Sequence, residues 1–600
     1  MTYTTPIRDM HFALTHMAGF QRLVDSGAYE DLSDDLVMAV LEEVGKLADN
    51  VIAPLNQTSD NQGARLEDGN VITSPGFVQA YRQYVEGGWN ALAFPSEYGG
   101  QGLPQTLALT VSDALFGACI GFSMGTCLTT GAVKALLAYG TDEQKQKYLA
   151  KMVSGEWTGT MNLTEPQAGS DLSNLRTKAE PTGDGQYKIT GNKIFISYGD
   201  HDMAENICHL VLARLPDAPE GTRGVSMFLV PKFHVSADGS LGARNDAWVT
   251  GLEHKMGQHG SPTCSMAYGD KGECLGTLVG QENQGLRNMF VMMNAARIDV
   301  GMQAVSVGER SFQAALAFAQ ERKQGRAFGV KTGDPVSIIQ HPDVRRNLYL
   351  QKSLTEASRA VCYANMVNYD LAHIGASEEI RQRSKEREEL LTPISKSFAS
   401  DRANESTSIG VQVFGGMGFV EEAGAAQHMR DVRICGVYEG TNGIQAIDLV
   451  GRKLGMGGGK LARDFLDDVQ KNAAALHNTS DKRLQAMATG LKQGAETLAK
   501  TTGWMVDAMG SNDPNHGLAG ATPYLDQFGY VAGAHYLAKG ALAAAKAAEA
   551  AGDTGDFYQS KVALAGFYMD NILPRAEGLA PAVVAGADSV APIDPALLTG

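Results

Sequence analysis

The residues best able to do chemistry in this 600-residue chain sit in a few short, glycine-rich stretches. GVYEGTNGIQ (436–445) sets one carboxylate, Glu439, between an aromatic residue and a Gly-Thr-Asn-Gly turn. Such an acid is either a general base projecting into a cavity or the polar edge of a helix start. GFSMG (121–125) matches the G-x-S-x-G nucleophile elbow, which needs a strand before it and a helix after it. Here it lies inside LFGACIGFSMGTCLTTGAVKALLAYG, a small-residue helical pattern, so close helix packing is favoured over a Ser123 nucleophile. GMGGGK (455–460) fails as a phosphate loop, because Leu454 and Leu461 occupy the positions that need Gly and Ser or Thr. MNLTEPQAGSDLSNL (161–175) offers hydroxyls and free N–H groups to a polar ring edge or an anion, or is an ordinary turn. GNKIFIS (191–197) pairs an aromatic with a hydroxyl, suited to a planar heterocycle or to a sheet core. GVQVFGGMGFVEE (410–422) closes a helix starting near Thr392. Its Gly-Gly pair permits close approach of a phosphate, and Gly is also the ordinary helix-capping residue.

The elements that must position these residues follow from periodicity. Helical spacing fills much of 33–155 and returns from Gly285 to about Leu454, including Lys352–Asp370 and Glu388–Val413. Between them, WTGTMNLTE, YKITGNKIFIS, HLVLARL and VSMFLVPK are short β-branched or alternating runs separated by turn residues, which reads as a β-domain. GMGGGK reads as a flexible linker by composition, and the Ala-rich remainder as a further helical domain. The expected fold is α+β, mainly α. Its domains are 1–155 (helical), 156–280 (β), 281–455 (a helical bundle bearing Glu439) and 461–600 (an extra helical domain).

Composition narrows the function classes. A net charge of −16 argues against nucleic-acid binding. No dinucleotide-binding G-x-G-x-x-G opens a βαβ unit, which argues against a nicotinamide enzyme. The seven cysteines form no CxxC pair and no metal framework, pointing to reduced thiols in the cytoplasm. The first residues lack the charged and apolar regions of a signal peptide, and no uninterrupted apolar run of about 18 residues marks membrane insertion.

Taken in order, TEPQAGSDL, FIS, MNAARIDVGMQAVSVGE, QERKQG, QVFGGMGF and YEGTNGIQ resemble the acyl-CoA dehydrogenase family, in register over roughly residues 35 to 455. The length, the EHKMGQHGSPT stretch (253–263) and the helical tail resemble its longer branch. The resemblance implies FAD between the β-domain and the helical bundle, an acyl-CoA substrate, and electron-transfer flavoprotein as acceptor. It also implies a homo-oligomer, a dimer by preference, in which a neighbouring subunit completes the FAD site. The α-proton of the thioester would go to Glu439 and the β-hydride to flavin N5. The thioester carbonyl would be held by the Glu439 backbone N–H and a flavin ribityl hydroxyl.

By position, Met161, Leu163, Thr164, Gly169 and Ser170 would border the flavin, with Ser170 also at the substrate. Phe195, Ile196 and Ser197 would pack on it, Phe195 standing where Trp is usual. Gln412, Gly415 and Gly416 would meet the adenosine diphosphate part, and Thr441 and Asn442 would touch FAD, with Gly443 in place of a usual Gln. Arg322 would pair with the pyrophosphate. Gly325-Arg326 replaces the usual Phe-Gly, which leaves Arg322 and Arg326 as two possible registers. Arg297 matches an active-site helix Arg, and Ala296 fills the position where some relatives carry the base, so Glu439 is the expected base. An acyl-CoA oxidase or a short- or medium-chain fatty acyl-CoA dehydrogenase would share this pattern.

Overall fold

The computed structural model describes residues 3–551 and 556–599. The chain forms two compact units, one of Glu42–Asp299 with Thr2–Thr5, the other of Pro6–Leu41 with Val300–Gly600.

In the first unit, helix α1 (Gln105–Tyr139) is long and apolar enough to span a bilayer by composition, but 89% of its most apolar window is buried inside the protein. It is a core helix, interrupted at Cys119 (φ −161°, ψ 100°). Next come β1 (Trp157–Asn162), β2 (Lys178–Pro181), β3 (Tyr187–Ser197), β4 (Asn206–Arg214), β5 (Val225–Pro231), β6 (Ala247–Leu252), β7 (Thr263–Tyr268) and β8 (Leu275–Leu278). The sheet order is β6-β7-β3-β8-β5-β4-β1, and β2 pairs with both β3 and β4. The path β3-β8-β5-β4-β2 therefore returns on itself around a core of Ile189, Val211, Phe228, Val230 and Tyr268. β4 and β5 are buried almost throughout, which is why NICHLVLAR and VSMFLVP read as continuous apolar runs. β1 lies parallel to β4, and the other long pairings are antiparallel.

Helix α2 (Gly285–Glu321) begins in this unit and continues into the second. There it joins α3 (Pro342–Ile374) and α4 (Glu378–Phe414). Small residues set their spacing. A Cβ on Gly301 would lie 2.6 Å from the Ser395 carbonyl oxygen, and one on Gly410 would lie 2.4 Å from Ser311 Oγ. α4 starts well before the expected Glu388. Its first turns (EEIRQRSKEREE) are charged and largely solvent-facing, so they lack the apolar period that marks a helix, yet Ser377 caps them and Pro393 is accommodated inside.

α5 (Ala425–Val432) and α6 (Asn442–Asp448) follow. The tail comprises α7 (Lys460–His477), α8 (Lys482–Met509), α9 (Ala521–Ala551), α10 (Asp556–Asn571) and α11 (Pro574–Ser589). The glycine run before α7 is not the flexible linker its composition implies. It is a tight turn with Gly457, Gly458 and Gly459 all at positive φ. The Gly458 carbonyl accepts from Arg463 Nη1 at 2.7 Å. Left-handed backbone costs glycine little, so the same residues that loosen a linker also build a sharp corner.

Candidate active site

In the first unit, the loop after β1 is fixed to β3 by a buried ion pair. Lys193 Nζ, fully inaccessible, donates to Glu165 Oε1 at 2.9 Å and to the Leu163 carbonyl at 3.0 Å. Glu165 also accepts from Thr177 Oγ1 (2.6 Å), Thr177 N (3.0 Å) and Arg176 N (2.7 Å). Burial alone would raise its carboxyl pKa. The Lys193 charge and these donors overcome that and hold it lowered, at about 2. Ile194 N donates to the Thr164 carbonyl at 2.9 Å, so Met161–Thr164 runs beside the end of β3. Gly169 and Ser170 lie exposed beyond a turn closed by Glu165 and Ala168.

The end of β3 is bulged. Opposite Cys264–Met266 of β7, one residue faces both Ile194 and Phe195. A bulge re-aims a side chain, and here Phe195 takes φ +59° and is 59% exposed while Ile196 is buried. Ser197 is half-buried, its carbonyl accepting from Thr160 Oγ1 at 2.7 Å. The next residue, Tyr198, is also at positive φ (50°) and fully buried. Its hydroxyl donates to the Gly121 carbonyl of α1 at 2.6 Å, and its ring leaves 3.0 Å for a Cβ on Gly125. Gly125 thus leaves room for the Tyr198 ring, while the Gly121 carbonyl takes its hydroxyl and Gly121 packs against Gly260. Ser123 is 1% exposed and donates to the Cys119 carbonyl within its own helix, with no strand-turn-helix elbow. Arg297 is buried on α2, and Ala296 beside it is half-buried.

In the second unit, Glu439 is half-buried at φ +55°. It is one of six non-glycine residues at positive φ among the described residues, a conformation that needs its surroundings to enforce it. The turn is pinned on both sides. Tyr438 Oη donates to Gln303 Oε1. Gln445 Nε2 donates to the Gly440 carbonyl at 3.0 Å. Thr441 precedes α6, and its hydroxyl donates to the Gly436 carbonyl at 3.3 Å. The Asn442 side chain is consumed inside the protein: Oδ1 accepts from buried Lys396 Nζ at 2.8 Å, and Nδ2 donates to Asp401 Oδ1 at 2.8 Å and Ser400 Oγ at 3.0 Å. Any contact of Asn442 with a cofactor is therefore left to its backbone.

At the end of α4, Gln412, Gly415 and Gly416 are exposed, and a Cβ on either glycine would meet nothing within 4 Å. Beneath them Phe414 stacks on Phe318 at 4.3 Å. Arg326 is occupied by its own loop, Nε donating to the Gly333 carbonyl at 2.7 Å. Arg322 is exposed, with no side-chain partner among the described residues. This favours Arg322 of the two registers. Within the first unit the exposed aromatic beside a hydroxyl suits a flavin ring, and within the second the open glycine pair and the exposed Arg322 suit the phosphates of a dinucleotide. Glu165, Lys193, Lys396 and Asp401 escaped the reading of the sequence. The one signal was Lys193, a charge on the same alternating phase as Ile189 in its strand.

Comparison with known proteins places the chain. Residues 37–156, 160–270 and 283–454 match the N-terminal, middle and C-terminal domain models of acyl-CoA dehydrogenase, and residues 465–594 match an acetyl-CoA dehydrogenase C-terminal-like domain. The chain belongs to the acyl-CoA dehydrogenase family. It is an FAD-dependent oxidoreductase acting on an acyl-CoA. It is 44% identical to a 3-methylmercaptopropionyl-CoA dehydrogenase of Ruegeria pomeroyi over 96% of each chain, and 36% identical to a butyryl-CoA dehydrogenase of Syntrophomonas wolfei, again over 96% of each. In fold it is similar to an acyl-CoA dehydrogenase from Bacillus anthracis solved with FAD, with a TM-score of 0.73 at 20% identity over 92% of this chain and 88% of that one.

Proposed function

We propose that this chain converts 3-methylmercaptopropionyl-CoA to methylthioacryloyl-CoA in dimethylsulfoniopropionate breakdown, with Glu439 as the base. The observation that carries the substrate is the 44% identity, end to end, with an enzyme of that name. The observation that supports the base is the strained, pinned turn around Glu439.

A thioester α-C–H is a weak acid. Glu439 takes the α-proton while its own backbone N–H, at the start of the turn, donates to the thioester carbonyl as enolate charge develops. When bound, FAD supplies the two-electron acceptor for the hydrogen that leaves Cβ. Phe195, Ile196 and Ser197, with Met161, Leu163, Thr164, Gly169 and Ser170, form the platform for the ring and the thioester end. Arg297 borders the substrate. Gln412, Gly415, Gly416 and Arg322 hold the dinucleotide end, with a second copy of the chain completing the site as a homodimer. Thr441 and Asn442 border FAD through their backbone. Electron-transfer flavoprotein takes the electrons onward, in the cytoplasm, a setting supported by seven free cysteines.

The test is anaerobic mixing of the yellow protein with a series of thioesters, followed by the flavin absorbance. Fastest bleaching by 3-methylmercaptopropionyl-CoA is expected. Fastest bleaching by butyryl- to octanoyl-CoA would reassign the substrate to a fatty acyl-CoA. Steady peroxide release in air would replace electron-transfer flavoprotein by oxygen as the acceptor.

A further inference from the structure

The tail helices carry no motif for chemistry, yet they pack on the helix that holds the base turn. α4 presents two adjacent faces. On one, Lys396, Ser400 and Asp401 grip Asn442, three residues past Glu439. Asp401 lies directly under the turn: a Cβ on Gly436 would sit 3.8 Å from its Oδ1. On the other face, Phe398 and Arg402 meet α9. Phe398 packs edge-on against Tyr530 at 5.5 Å, and a Cβ on Gly529 would lie 2.4 Å from the Phe398 ring, so only glycine admits this approach. Arg402 Nη1 donates to Tyr530 Oη and, at 3.1 Å, to Glu405. Its Nη2 lies 3.8 Å from Asp526.

Tyr530 is itself held from further along the tail. Tyr568 Oη donates to its carbonyl at 3.0 Å, and Arg575 reaches its hydroxyl at 3.4 Å and Glu405 at 2.8 Å. Arg402 and Asp401 are neighbours in the chain. Asp401 already feels the Arg402 charge, so a guanidinium released from Tyr530 and held only by Glu405 and Asp526 gains freedom to pair with Asp401 and compete with the Asn442 amide for the same carboxylate oxygens.

We propose that the C-terminal helices position the catalytic turn: Tyr530 fixes Arg402, which leaves Asp401 committed to Asn442 and the Glu439 turn in one place. Tyr530 is a positioning residue, and the inference rests on the reading of Glu439 as base.

The test uses the full-length holoenzyme in a double-mutant cycle of Tyr530→Phe and Asp401→Asn, with Glu439→Gln in parallel. Each protein is read for flavin content, melting temperature, KM, and the rate of flavin reduction at saturating thioester. Tyr530→Phe removes one hydroxyl and keeps the ring, so flavin content and KM should hold within about twofold. The reduction rate should fall on the order of tenfold, a typical consequence of a small displacement of a reacting group. In the Asp401→Asn background the same change should add almost nothing, because both act through Asn442. Additive losses, or a Tyr530→Phe enzyme reducing at the normal rate while Glu439→Gln is impaired, would overturn the positioning role alone. A Glu439→Gln enzyme reducing at the normal rate would overturn the base and this inference together.

Discussion

Two regions of this protein hold a non-glycine side chain in left-handed backbone at a place where chemistry is proposed, and they do so by different means. Phe195 sits at a bulge braced by the buried Glu165–Lys193 pair and its ring of donors. Glu439 sits on a turn braced by side-chain amides, Gln445 on one side and Asn442, itself held by Lys396 and Asp401, on the other. Each conformation costs on the order of 1–3 kcal/mol. A platform for a flat ring must stay put, and a buried, fully bonded ion pair suits it because displacing either partner strands a charge. A base must be held in one place against the proton it meets, and here the hydrogen bonds fall on the turn's own backbone and on Asn442.

The largest effect on stability should come from the platform. Lys193→Met leaves the Glu165 carboxylate buried and unpaired, so unfolding free energy should fall by about 3–5 kcal/mol and bound FAD should be lost on dilution, measured by denaturant midpoint and flavin absorbance. An unchanged midpoint would mean that the pair is incidental. Next in size is a pH effect. The Glu165 carboxyl is depressed to about 2 when folded, so its contribution is fully present above the ordinary carboxylate range. It should be lost as pH falls from about 4.5 toward 2, by as much as roughly 3 kcal/mol. A Glu165→Gln/Lys193→Met double variant should show a shallower acid limb in the same titration.

Phe195→Gly sharpens the contrast between strain and use. The side chain is exposed and its φ suits glycine, so the melting temperature should stay within the equivalent of about 1 kcal/mol. The FAD dissociation constant should rise about tenfold, the worth of a lost aromatic contact. Smallest of all, Ser123→Ala deletes a hydroxyl that only bonds its own helix, so turnover should be unchanged and stability should shift by less than about 1 kcal/mol.

Much of this was legible in the chain. Alternation and β-branching marked the strands. Helical spacing marked α1, which disqualified the G-x-S-x-G match at Ser123. Six motifs in order pointed to the family. What stayed hidden was supplied by tertiary structure. The beginning of α4 is polar on all sides that face water, so it left no periodic trace. Gly457–Gly459 reads as slack because composition cannot distinguish a corner from a tether. Lys193 and Glu165 lie 28 residues apart, and only the sheet brings them together. Nothing local in Tyr198 announces that Gly125 makes room for its ring and Gly121 takes its hydroxyl.

The central claim is that Glu439 removes the α-proton, and it is tested most directly by rapid anaerobic mixing of Glu439→Gln with 3-methylmercaptopropionyl-CoA. The expected result is a yellow protein with normal flavin content whose reduction is slowed by about 10² to 10⁴ or more, the share of a positioned base. Reduction at the wild-type rate would contradict the account and send the search for the base elsewhere in the chain.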